Sequence, residues 1–196
     1  IIGECAARKV DVAITPALSL TGSACGDLFA TDTFLDSAIN ALISSILPAS
    51  AACQTLIFIG MPLKSGNRIY SCTVAVGGGQ VISVNPAKSI ATGERVFTPA
   101  DCIHPVTFKI GSLGVFTSQP KQLIRLNSDD RFLIEVDEHP ILHGDSPATL
   151  LAVPHAHRST VGSGEKTLMF ARALTSNHPG ALVLANAGPS ESSASG

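Results

Sequence analysis

Tryptophan is absent from the 196-residue chain, tyrosine occurs once and methionine twice, and only 14% of residues are charged. With 13 Lys and Arg against 15 Asp and Glu, scattered rather than clustered, there is no basic stripe of the kind that binds nucleic acid or anionic lipid. No uninterrupted apolar run reaches the roughly 20 residues that cross a bilayer, so a membrane span is not expected. The five cysteines are odd in number and contain no Cys-x-x-Cys pair, which argues against a disulfide framework or a zinc knuckle and for a reducing, cytoplasmic setting. The chain opens on Ile1-Ile2-Gly3 without a basic, apolar leader and closes on a Ser-rich tail, Ser190 to Gly196, so a fragment of a longer protein is expected. What is present is apolar content, 45%, enough to bury the core of one domain over residues 1–196. These absences leave a small molecule, or another protein chain, as the expected partner.

Residues 1–9 suit the last turns of a helix, and Val10 to Thr15 alternates as a strand that ends at Pro16. Phe34, Leu35, Ala38, Ile39, Leu42, Ile43 and Ile46 form one helical stripe over Asp32 to Leu47, with Pro48 expected to follow the helix. Thr55 to Ile59 is a continuous apolar run, the mark of a strand covered on both faces, with Gly60 expected to stop it. Arg68 to Val76 and Gln80 to Val84 flank Gly77-Gly78-Gly79 as a hairpin. No helix start or Lys-Ser/Thr follows those glycines, so they are a turn and not a phosphate cradle. Further strands are expected at Val106 to Ile110, Phe132 to Val136, Leu150 to Val153 and Ala181 to Ala185, with a helix over Gly164 to Ser176. Strands alternating with helices, plus an internal hairpin, imply an α/β layered fold.

Several short segments fall in a recognisable order. Pro16-Ala17-Leu18-Ser19-Leu20-Thr21-Gly22 precedes Gly26-Asp27-Leu28-Phe29; Gly60-Met61-Pro62 precedes Arg68-Ile69-Tyr70; Pro86-Ala87-Lys88-Ser89 precedes Phe97-Thr98-Pro99. Later come Val136-Asp137-Glu138, Thr160-Val161-Gly162 and Asn186-Ala187-Gly188. Taken together they resemble the landmarks of the nitrilase, or carbon-nitrogen hydrolase, superfamily, and most of all the glutaminase domain of glutamine-dependent NAD synthetases. The resemblance implies a four-layer α-β-β-α sandwich, incomplete at both ends in this chain, that associates as a homo-oligomer. It also implies glutamine, or a related small amide, as the ligand, and no cofactor in this domain; ATP and Mg²⁺ belong to a separate synthetase domain.

Amide hydrolysis of this type needs a thiolate nucleophile, a carboxylate general base and a lysine that stabilises the tetrahedral oxyanion. Carried over by position, the base falls on Ala17, the lysine on Lys88 and the nucleophile on Asp137. Alanine cannot accept a proton. A carboxylate is a weak nucleophile toward an amide, and the mixed anhydride it would form is high in energy. Losing such groups removes on the order of 10⁴- to 10⁶-fold in rate. The chain is therefore expected to be catalytically impaired, or to serve as a non-catalytic nitrilase-fold scaffold, with Lys88 and Asp137 meeting as a salt bridge.

Around these positions Glu94 matches a second glutamate that orients the family's site, and Glu138, Asn186 and Ser190 match positions near its substrate pocket. Each could equally be a solvated surface group or, for Asn186 and Ser190, a cap at a strand end. His139, His143, His155 and His157 lie near several carboxylates, but their spacing is not that of a metal site, and ordinary loop histidines are expected. Ser159 and Thr160 read as a helix N-cap region.

Overall fold

In the computed structural model, the residues described are 1–88, 96–101, 103–119, 122–126, 129–137, 147–156, 162–177 and 180–187. A short helix α1 (Ile2–Ala7) leads into strand β1 (Val12–Ile14), and a 3₁₀ turn over Gly26–Ala30 precedes helix α2 (Asp32–Ala41). The helix does not stop before Pro48. It widens into a π turn over Leu42–Ile46 and continues as α3 (Leu47–Ala51). Proline has no N–H for the carbonyl four residues back, and its ring collides with that carbonyl in a regular α-helix. Here the N–H of Leu47 reaches back five residues to the carbonyl of Leu42, and the wider turn accommodates the ring. The resulting helix, Asp32–Ala51, has 20 residues and by length and composition alone could cross a membrane, although polar residues interrupt its apolar run. Its stripe of Leu35, Ala38, Leu42, Leu47 and Ser50 is buried, as in an amphipathic core helix.

Strand β2 (Leu56–Ser65) pairs in parallel with β1 and antiparallel with β3 (Arg68–Gly77), which pairs with β4 (Gln80–Pro86). Gly60 does not end β2, and the strand runs on through Pro62. Beyond Phe58 the strand no longer has β1 beside it, and edge positions tolerate proline. The expected hairpin is present: Gly77 faces Gln80, and Gly78 and Gly79 take φ of +57° and +79°, which a two-residue turn of this hand requires.

A two-stranded sheet, β5 (Thr107–Ile110) with β6 (Gly114–Thr117), covers part of the first sheet on its helix side. The second main sheet has the order β10-β9-β8-β7, from β7 (Leu123–Leu126), β8 (Asp129–Val136), β9 (Leu150–His155) and β10 (Ala181–Asn186), with α4 (Ser163–Asn177) between the last two. β6 and β7 were not anticipated from the sequence.

Alternation along each strand assembles the layers. Ile57, Ile59, Met61 and Leu63 of β2 face α2 and α3 with Cys72, Val74 and Val76 of β3. Leu56, Phe58 and Ala75 point the other way and pack on Ile124, Ile134, Val136 and Ala152 of the second sheet. The outer face of that sheet, with Leu151, Val153, Leu182 and Leu184, is covered by Phe170 of α4. The order is helix, sheet, sheet, helix. A strand buried on both faces needs apolar residues at every position, which accounts for the unbroken run in β2.

Candidate functional site

Strand direction decides where the chemistry-bearing positions lie. β1, β2 and β4 run one way in the first sheet, and β8, β9 and β10 are mutually parallel in the second. Ala17 follows β1, Lys88 follows β4 and Asp137 follows β8, so each sits just past a C-terminal strand end. Two contacts show that these ends form one rim. The N–H of Ala17 donates to the carbonyl of His155 at the end of β9, 3.2 Å, and Lys88 Nζ donates to Asp137 Oδ2 at 2.8 Å.

The turn carrying Ala17 is held unusually close to β2. A Cβ on Gly60 would lie 2.3 Å from the nitrogen of Leu18 and 2.4 Å from the oxygen of Pro16, so only glycine lets the turn cross the strand there. Leu20 N–H donates to the carbonyl of Gly60 at 2.9 Å, while Leu18 takes a φ of +56° to complete the bend. Leu18 is then buried against Phe29 and Phe97, whose ring centroids are 4.9 Å apart. The Gly-Asp-Leu-Phe and Phe-Thr-Pro segments thus meet at the turn that carries position 17. Ala17 itself is buried and presents only a methyl group.

Lys88 and Asp137 are placed by backbone on both sides. Ala87 donates to the carbonyl of Ser71 at 2.8 Å and accepts from Ala100 at 2.8 Å, while Asp137 N–H donates to the carbonyl of Ala152 at 3.1 Å. The Lys88 side chain is 21% exposed and that of Asp137 only 9%. The expected salt bridge is therefore present, joining residues 49 apart in sequence. Asn186 lies at the exposed end of β10, opposite His155 in register. The His155 ring faces the other way, 5.7 Å from Phe170 of α4, and no group of three or more His, Cys, Asp or Glu suited to a metal occurs among the described residues. Glu94, Glu138, Ser190, His139, His143, His157, Ser159 and Thr160 lie outside the described residues. Sequence reasoning missed Gly60 and the His155 carbonyl as parts that hold the rim. Gly60 was legible as a strand breaker and as a member of the Gly-Met-Pro landmark, neither of which implies its close approach to the Pro16–Leu18 turn, and a carbonyl acceptor carries no sequence signal.

The overlay on solved structures settles the architecture. The chain superposes on a glutamine-dependent NAD(+) synthetase from Cytophaga hutchinsonii with a TM-score of 0.76 at 23% identity, over 94% of this chain and 31% of that one. It superposes on a mutant of the Nesterenkonia AN1 amidase from the nitrilase superfamily with a TM-score of 0.70 at 15% identity, over 94% of this chain and 66% of that one. This is a nitrilase-superfamily fold. Sequence comparison agrees: the chain is 29% identical over 205 residues to the glutamine-dependent NAD(+) synthetase of Mycobacterium leprae, and 28% identical over 196 residues to that of Mycobacterium tuberculosis. Those alignments cover 96% and 92% of this chain, which spans only 29% and 28% of the relatives' length. No family model matches the chain. Within the nitrilase fold, then, the described rim carries a lysine, an aspartate and an alanine.

Proposed function

We propose that this chain is a glutaminase-type nitrilase domain, of the lineage that supplies ammonia for NAD synthesis, in which amide hydrolysis has been lost. The observation that carries the proposal is the 2.8 Å contact between Lys88 Nζ and Asp137 Oδ2. The lysine meets a resident carboxylate where the mechanism calls for an ammonium beside a thiolate, and Ala17 offers nothing to accept the thiol proton. Glutamine or a related small amide remains the ligand class for any retained pocket. ATP and Mg²⁺ have no part in this step and belong to a separate synthetase domain.

The test is ammonia release from glutamine, assayed well below the melting temperature of each protein. The native chain should release none above background, and Asp137→Cys combined with Ala17→Glu should gain activity. Glutamine hydrolysis by the native chain that disappears in Lys88→Met would end the proposal. A silent double variant would instead place the nucleophile and base elsewhere than positions 137 and 17.

A second function, as a nitrilase-fold scaffold that pairs with its own copy, is favoured by α4. Its inward side carries Phe170 and the buried Leu174, whereas Leu168 and Met169 on the outward side are 51% and 70% exposed. Adjacent exposed Leu and Met side chains on one helix suit an interface.

A further inference from the structure

Lys88 extends the end of a strand in the first sheet and Asp137 the end of a strand in the second, and among the described residues no strand of one sheet is hydrogen-bonded to a strand of the other. Their ion pair is therefore a polar contact across the gap between sheets. Asp137 is held by its own N–H on the carbonyl of Ala152, and Lys88 directly follows Ala87, which is hydrogen-bonded to Ser71 and Ala100, so the two charged groups are presented to each other by the strand ends. A surface ion pair contributes little, because water screens it and two long side chains must be ordered. This one differs: the aspartate side chain is more than nine-tenths buried and the lysine about four-fifths buried. An ammonium at that depth is costly without an anionic or hydrogen-bonding partner.

We propose that Lys88 creates a carboxylate-binding position at the mouth between the two sheets and that Asp137 is its tethered occupant. The aspartate supplies from within the chain what a free carboxylate would otherwise provide. Two consequences follow from the geometry. The native protein excludes small monocarboxylates from Lys88, because their place is taken, and it admits them once the side chain at position 137 is shortened. Thermal stability reports on the occupant of Lys88 whatever the glutamine assay shows, so a failure here is distinguishable from a failure of the proposed loss of amide hydrolysis.

Thermal unfolding of the native chain, Asp137→Ala, Lys88→Met and the double variant, each titrated with sodium formate against sodium chloride at matched ionic strength, tests it. Asp137→Ala should lower the melting temperature by roughly 6–12 °C. Formate, but not chloride, should recover at least about half of that loss in a saturable way. The native chain, Lys88→Met and the double variant should respond to formate no more than to chloride. Indifference of Asp137→Ala to formate, an equal response from the native chain, or rescue that persists without Lys88 would each overturn the proposal. Should Asp137→Ala fail to fold, Asp137→Ser, which also shortens the side chain and removes the carboxylate, undergoes the same titration: a response specific to formate supports the proposal, and indifference overturns it.

Discussion

A single added carbon distinguishes two glycines of β2 and its following turn. At Gly60 it would fall within 2.3–2.7 Å of three backbone atoms of the Pro16–Leu18 turn, none of which can rotate away. At Gly66 nothing lies within 4 Å, and only the φ of +57° resists a side chain. Gly60→Ala should therefore destabilise the protein by about 3 kcal/mol, through forced movement of the turn. Gly66→Ala should cost about 1 kcal/mol, through left-handed strain alone. Urea denaturation measures both, with the shift expected in the midpoint rather than the slope. Equal losses would mean that the turn does not bear on the strand. In sequence Gly60 looked like a stop signal, because glycine's service to a neighbouring backbone leaves no trace beside it. Lys88 and Asp137 were legible because the resemblance assigns a chemical role to their positions. Each sits inside an ordered series of landmarks, whereas neither composition nor periodicity would have paired residues 49 apart.

A side-chain hydrogen bond fastens the long helix to the first sheet. Ser50 of α3 is fully buried, donates to the carbonyl of Leu47 at 2.9 Å, and accepts the N–H of Gly79 at 3.1 Å. It thereby ties the end of the long helix to the β3–β4 turn. Ser50→Ala leaves a half-buried turn amide without this acceptor and should cost about 1 kcal/mol. Amide exchange at Gly79 should accelerate by the same free energy, and unchanged protection there would show that the turn holds itself. The helix was legible up to Pro48 from its apolar stripe. Its continuation was not, because a π turn that makes room for proline depends on the packing of Leu42 and Leu47 and has no local code. β6 and β7 escaped for want of length: each has four residues, and the glycines at 111 and 114 obscure the first.

Across the whole molecule the layer order was readable, since the apolar run of β2 and the alternation of strands and helices both demand sheets covered on two sides. What the sequence could not convey is which apolar side chains the fold leaves exposed, Leu168 and Met169 of α4 among them. If Leu168 and Met169 join two copies, the native chain should sediment as a dimer at micromolar concentration, and Leu168→Glu with Met169→Glu should sediment as a monomer that retains its far-ultraviolet circular dichroism. A monomeric native chain would remove the scaffold function. Paired carboxylates on adjacent outward positions should repel across a symmetric interface while leaving the inward Phe170 and Leu174 in place.

The contact between Lys88 and Asp137 also constrains the protein's history. Any lineage that exchanges Asp137 for a neutral residue first passes through a chain whose lysine is four-fifths buried and has lost its carboxylate, and exchange of the lysine first takes from the buried aspartate its ammonium partner instead. Each single step runs downhill in stability, although the two together need not. Such epistasis works as a ratchet: substitutions that were individually acceptable when the pair was assembled become individually unfavourable once it exists.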